Sequence, residues 1–150
     1  LFAGSGALGI EALSRGAAKA IFIEQDPAAL RVLRDNCRQL QLLACSSIIA
    51  GDARLLGRAE QAVDLVFIDP PYGQNLLLAA WPCLCRGGWL RAGSLLVIEQ
   101  DKKTPEILPA ELIVRDNRAI GRSALVFAEV TAASVAAGQS APPTLPPSAE

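Results

Sequence analysis

The chain has 150 residues, 51% of them hydrophobic, which is enough for one domain with a buried core. Its net charge of −1 excludes a basic surface over the whole molecule, so any nucleic-acid interface must be local. No apolar run reaches the roughly 18 residues of a membrane span. The chain contains no histidine, and the spacing of its cysteines fits no zinc ribbon, so we expect no metal site. We interpret the cysteines as reduced thiols of a cytosolic protein; they are Cys37, Cys45, Cys83 and Cys85.

The first predicted elements are a strand end, a glycine turn and a helix. Residues 1–3 look like the end of a strand, and the turn of residues 4–9 leads into a helix that ends at Arg15-Gly16. A second strand is predicted at residues 19–24. Asp26 then predicts an N-cap, with Pro27 at the first helical position of a helix to about residue 42.

The remaining elements continue this alternation. Short strands are predicted at residues 47–50 and 63–68, and an apolar helix at residues 76–84 despite Pro82. A fifth strand at residues 95–99 precedes a closing antiparallel pair, predicted at 112–115 and 124–129 around Gly121.

Strands that alternate with helices predict an α/β fold with a doubly wound, mostly parallel sheet. We expect one domain over residues 1–130. Residues 131–150 are rich in Ala, Ser and Pro without apolar periodicity, which predicts a disordered tail.

The glycine turn fits a fingerprint for nucleoside-containing cofactors. Gly4, Gly6 and Gly9 have the spacing G-x-G-x-x-G, and Glu24 stands where an acid binds ribose hydroxyls. Asp52, after the third predicted strand, could accept a hydrogen bond from the exocyclic amine of an adenine ring. Two acids suit a ligand without phosphate, such as S-adenosylmethionine. The alternatives are a solvated strand terminus for Glu24 and a turn former for Asp52.

A second motif, Asp69-Pro70-Pro71-Tyr72, directly follows a predicted buried strand. The prolines hold Asp69 and Pro70 extended. The Asp69 carboxylate and the Pro70 carbonyl could accept both hydrogens of an aromatic exocyclic amine and free its lone pair for attack. Tyr72 could stack on the base and fix the line of attack. The motif therefore predicts methyl transfer to an amine; the alternative is a simple proline turn.

These motifs together resemble the RsmD family of class I S-adenosylmethionine-dependent methyltransferases. The resemblance covers about residues 1–130 and rests on residues 1–17, 51–53, 67–72 and 88–90. It implies a Rossmann-like class I methyltransferase fold and methylation of the N2 amine of a guanine in 16S ribosomal RNA, with the assembling small subunit as partner. It also implies a cytoplasmic protein, which we expect to be a monomer.

Carried over by residue, the resemblance implies catalysis at Asp69, Pro70, Pro71 and Tyr72. Its implied cofactor contacts are Ala3, Gly4, Ser5, Gly6, Glu24, Asp52 and Ala53. The family normally has an acid just before residue 1 and a further N-terminal segment. With no methionine at position 1, we expect a truncated N-terminal part that lacks most of the first strand. Ser123-Ala124 also stands where the family pattern has an aromatic residue nearby.

Three other functions remain open from the sequence. A DNA or different RNA amino-methyltransferase would share Asp69-Pro70-Pro71-Tyr72, and an NAD-binding domain would share the glycine turn. An inactive truncated remnant is the third alternative.

Overall fold

The computed structural model describes residues 1–71 and 73–140. The chain divides into two compact units, residues 1–53 and a second unit that begins at Arg54. Within the described residues, the strands form two sheets, one of two strands and one of four.

The first unit contains two helices and a parallel strand pair. Its elements are α1 (Ala7–Ser14), β1 (Ala20–Glu24), α2 (Pro27–Gln39) and β2 (Ser46–Ala50). Strands β1 and β2 pair from Ala20 with Ser46 to Glu24 with Ala50. Their carboxyl ends therefore lie side by side. The unit has a small apolar core of Phe22, Leu33 and Cys37, against which Ala3, Ile10, Ala20 and Ile48 pack.

Helix α2 begins as predicted. Asp26 is its N-cap, and the Asp26 Oδ1 atom accepts a hydrogen bond from the Ala29 N–H at 2.7 Å. Pro27 occupies the first turn, where its missing N–H costs nothing. Leu30, Leu33 and Cys37 form the buried stripe of the helix. Asp26 is thus a capping residue and not a ligand candidate.

The predicted strand end at residues 1–3 is wrong. Phe2 has a φ of 58°, in the left-handed region, and this interrupts the extended backbone that a strand needs. The Ala3 N–H donates to the Ile23 carbonyl at 3.0 Å, and the Ala3 carbonyl accepts from the Gly6 N–H of the turn at 2.8 Å. The segment therefore leads into the glycine turn without joining a sheet.

The second unit contains a mixed sheet and two helices. Its elements are β3 (Leu65–Ile68), α3 (Leu76–Arg86), β4 (Leu95–Asp101), β5 (Ile113–Ile120), β6 (Ser123–Glu129) and α4 (Ala132–Ser140). The strand order is β3-β4-β6-β5; the first pair is parallel and the other two are antiparallel. The predicted closing pair is present, and β5 continues to Ile120, past its predicted end.

The prediction of disorder is wrong for residues 132–140, which form helix α4. Gly138 is buried, and a Cβ added there would lie 2.3 Å from the Cys85 Sγ atom of α3. The Ser134 hydroxyl is also buried and donates to the Glu111 carbonyl at 2.6 Å. The small residues that suggested disorder instead allow two helices to approach closely. The rest of the predicted tail, residues 141–150, lies outside the described residues.

Candidate functional site

In the glycine turn of the first unit, Gly6 and Gly9 pack against the apolar core, whereas a side chain at Gly4 would have no close neighbour. A Cβ on Gly6 would lie 2.3 Å from Leu33 Cδ1, and one on Gly9 would lie 2.3 Å from Phe22 Cε1. These two glycines therefore let the turn and α1 sit directly on the core. Gly4 has a φ of 55°, and a Cβ there would meet nothing within 4 Å. The backbone at Gly4 is accordingly the part of the turn that a ligand could approach.

Glu24 lies at the carboxyl end of β1 and is bonded to this turn. Its Oε2 atom accepts from the Gly4 N–H at 2.7 Å, and its Oε1 atom accepts from the Gln25 and Asp26 N–H groups at 2.8 Å. These three bonds fix the orientation of the carboxylate. A carboxylate has about four acceptor positions. The remaining one, on Oε2, could take a ligand hydroxyl without breaking a bond within the protein.

The other predicted cofactor residues of this unit surround the same strand ends. The Gly51 N–H donates to the Glu24 carbonyl at 2.8 Å, so the chain leaves β2 directly beside Glu24. Asp52 is half-buried, and Ala53 is buried. Ser5 is exposed, and its carbonyl accepts from Asn36 Nδ2 at 2.9 Å, which ties the turn to α2. The structure thus brings the glycine turn and both predicted acids to one edge of this sheet.

Asp69 in the second unit directly follows β3, as predicted. The residue is exposed, yet partial burial of its carboxyl group and then the negative charge of Glu99 raise the pKa of Asp69. Pro70 is buried and Pro71 is exposed. Tyr72 lies outside the described residues.

Glu99 is an acid near Asp69 that the sequence reasoning missed. Ile68, the last residue of β3, pairs with Ile98 of the parallel strand β4, so Asp69 and Glu99 each directly follow a member of this pair. Asp69 and Glu99 are each the first acid after an apolar run, residues 65–68 and 95–98. This shared pattern is the signal by which the sequence could have identified Glu99. The consequence is a second negative charge beside the predicted amine-binding carboxylate.

The two sets of predicted residues belong to different units. The predicted cofactor residues, from Ala3 to Ala53, are in the first unit, and the predicted catalytic residues are in the second. Among residues 1–71 and 73–140, no group of three or more His, Cys, Asp or Glu side chains could hold a metal ion. Within the same ranges, no helix has the length and apolar character to cross a membrane.

Comparisons with known proteins give a family and several close relatives. The model of the family described as conserved hypothetical protein 95 matches residues 1–129. Ribosomal RNA small subunit methyltransferase D of Haemophilus influenzae is 40% identical over 115 residues, 72% of this chain and 58% of that protein. The protein of the same name from Escherichia coli K12 is 37% identical over 100 residues, 67% of this chain and 50% of that protein. The chain thus spans about half the length of these curated relatives.

The fold is also similar to solved structures. A Haemophilus influenzae protein assigned as a methylase superimposes with a TM-score of 0.74 and 32% sequence identity, over 87% of this chain and 83% of that one. An Escherichia coli protein assigned as a methyltransferase superimposes with a TM-score of 0.75 and 32% identity, over 87% of this chain and 73% of that one.

Proposed function

Because the chain belongs to the conserved hypothetical protein 95 family, which is the RsmD family, we propose that it functions as an S-adenosylmethionine-dependent methyltransferase. Its fold is the Rossmann-like α/β fold of class I methyltransferases, as predicted. The proposed acceptor is the exocyclic N2 amine of a guanine in 16S ribosomal RNA of the small subunit. The relatives from Haemophilus influenzae and Escherichia coli are named as methyltransferases of small-subunit ribosomal RNA, which supports that RNA as the substrate class.

One observation carries the proposal, the hydrogen bond between the Gly4 N–H and the Glu24 carboxylate. It links the open part of the glycine turn to a fixed carboxylate with one acceptor position left, an arrangement that fits a ribose hydroxyl. Pyrophosphate would be repelled by Glu24 and Asp52 at this edge, so a cofactor with a cationic sulfonium fits better. We assign the cofactor to Ala3, Gly4, Ser5, Gly6, Glu24, Asp52 and Ala53. When bound, this cofactor supplies an electrophilic methyl group.

Asp69 and Pro70 are assigned to the acceptor amine. The ionised Asp69 carboxylate accepts one amine hydrogen and the Pro70 carbonyl accepts the other, which draws the nitrogen out of conjugation with the ring. Pro71 restricts Pro70 to extended geometry, so the carbonyl is aimed before the base arrives. Tyr72 stacks on the base. The methylated nitrogen is far more acidic than the free amine and releases its proton without a tuned general base.

We also propose a cytoplasmic location and action as a monomer on the assembling small subunit. Ribosomal RNA is present in the cytoplasm. The chain has 14 Lys and Arg residues, which are compatible with a local RNA-binding surface although the net charge is −1.

The test is a methyl-transfer assay with three acceptors: small ribosomal subunits, naked 16S ribosomal RNA and duplex DNA. Digestion to nucleosides and mass spectrometry identify the product. The proposal predicts N2-methylguanosine from one of the RNA acceptors. Methyl transfer to DNA alone would favour the DNA amino-methyltransferase alternative. Calorimetric binding of NAD without binding of S-adenosylhomocysteine would favour a dinucleotide-binding domain and overturn the proposal.

A further inference from the structure

The second unit has an open cleft of about 420 Å³ at the carboxyl end of β4. Its floor crosses three strands, because Gln100 pairs with Ala124 and Ala124 pairs with Ala119, so all three face one side of the sheet. The volume lies within the roughly 300–1,000 Å³ of small-molecule sites. The lining residues are Gln100, Lys102, Pro105, Asn117, Ala119 and Ala124.

Two side chains of this cleft, Gln100 and Lys102, offer hydrogen-bond donors. The side chain of Gln100 is oriented by its Oε1 atom, which accepts from the Glu106 N–H at 3.1 Å. Its Nε2 atom therefore presents two N–H donors, which have no hydrogen-bond partner in the described part of the chain. Lys102 Nζ donates to the Gly121 carbonyl at 2.6 Å and keeps two further donors. Such a lining selects a ligand that is rich in acceptors.

Charge differs between the two ends of the cleft. Lys102 carries a positive charge, and the 94% exposed Arg122 side chain lies nearby, paired with Asp101 at 3.9 Å, so one positive charge at this end stays without an acid within the described ranges. At the other end Pro105 is followed by Glu106, whose buried carboxyl oxygens have no hydrogen-bond partner among residues 1–71 and 73–140. A phosphate is therefore favoured at Lys102, and a neutral flat ring is favoured beside Pro105. The alanines of the floor leave space for such a ring.

We propose that this cleft holds one nucleotide of the RNA strand that carries the target base, an inference that rests on the proposed function. Lys102 binds the phosphate, Gln100 and Asn117 donate to acceptors of the base, and the ring lies over Ala119 and Ala124. Strand β5 is three positions from β3 in the sheet, which is about 14 Å at ordinary strand spacing. That distance corresponds to about four stacked nucleotides, so the bound nucleotide lies close in sequence to the base at Asp69.

The first test compares two added charges on neighbouring residues of β5. Ala119→Glu places a carboxylate on the cleft floor, whereas Ile120→Glu places it on the opposite face, at a side chain that is 57% exposed. The probe is a fluorescein-labelled single-stranded RNA of about 12 nucleotides, titrated in fluorescence anisotropy with the whole chain. We expect Ala119→Glu to weaken binding at least about tenfold more than Ile120→Glu does. Equal affinities of the two variants would overturn the proposal.

The second test does not depend on a substitution in the sheet. Lys102→Gln should reduce the slope of log affinity against log salt concentration by about 0.7, the value for one phosphate contact to a single strand. An unchanged slope, or a wild-type chain that does not bind the RNA, would overturn the proposal.

The proposed function fails independently, through absent methyl transfer or absent binding of S-adenosylhomocysteine. Calorimetry with S-adenosylhomocysteine on Ala119→Glu and Ile120→Glu separates loss of the RNA cleft from loss of the cofactor site. Both variants should bind this ligand with the affinity of the wild type.

Discussion

Asp69, just past the end of β3, and Glu99, within the paired parallel strand β4, each lie one residue past the pair Ile68 and Ile98. The charge of Glu99 contributes to the raised pKa of Asp69, after the larger effect of burial. Since the proposed mechanism requires an ionised Asp69, Glu99 influences the pH range in which the amine can be bound.

Glu99→Gln should shift the acid limb of the pH profile for methyl transfer to lower pH. Removing the negative charge lowers the pKa of Asp69, so its carboxylate stays ionised further into the acid range. The rate constant measured across pH gives the limb, and a ¹³C NMR titration of the Asp69 carboxyl gives the pKa without activity. Glu111→Gln, an exposed acid in the same unit, is the control and should leave the limb unchanged. A shift to higher pH in Glu99→Gln would contradict the prediction.

Asp69→Ala should lower methyl transfer by at least about 100-fold and leave the affinity for S-adenosylhomocysteine close to that of the wild type. Its side chain is exposed, so the free energy of unfolding should change by less than about 0.5 kcal/mol. Asp64→Ala is a matched control, because this exposed acid lies just before the other end of β3 and pairs with Arg91. Loss of cofactor binding in Asp69→Ala would show that the residue has been assigned the wrong role.

Glu24→Gln should weaken binding of S-adenosylhomocysteine by about 10- to 100-fold in calorimetry. The amide has one acceptor oxygen instead of two, and a hydrogen bond to a charged group contributes about 1.5–3 kcal/mol. Glu11→Gln tests the same chemical change at an exposed acid of α1, where only an ion pair with Arg15 is lost. Equal affinity of the Glu24 and Glu11 variants would remove Glu24 from the cofactor site.

Gly138→Ala should reduce the free energy of unfolding by about 1–3 kcal/mol, because the added methyl overlaps Cys85 of α3. The sign of the change is informative, since Gly to Ala at an unpacked helix position stabilises by about 1 kcal/mol. Urea denaturation followed by circular dichroism measures the difference. An increase in stability would mean that α4 does not pack on α3 through this residue.

The predicted elements were largely found because their signals are local. The glycine spacing, the Asp26-Pro27 helix start and the apolar run before Asp69 each act within a few residues of the chain. The failures have a different origin. The composition of residues 131–140 contains no apolar periodicity, and its helix depends on a neighbour, Cys85, that is distant in sequence.

The sequence by itself determined the motifs, the order of the elements and the resemblance to one methyltransferase family, since each depends on residue types at short spacing. Only the tertiary structure placed Glu99 beside Asp69, left one acceptor position on Glu24 and assembled the cleft around Gln100. The first and the last of these arrangements depend on the register of strands far apart in the chain, and the second on the contact of the glycine turn with the end of β1. Local periodicity does not specify that register, because many pairings bury the same apolar faces.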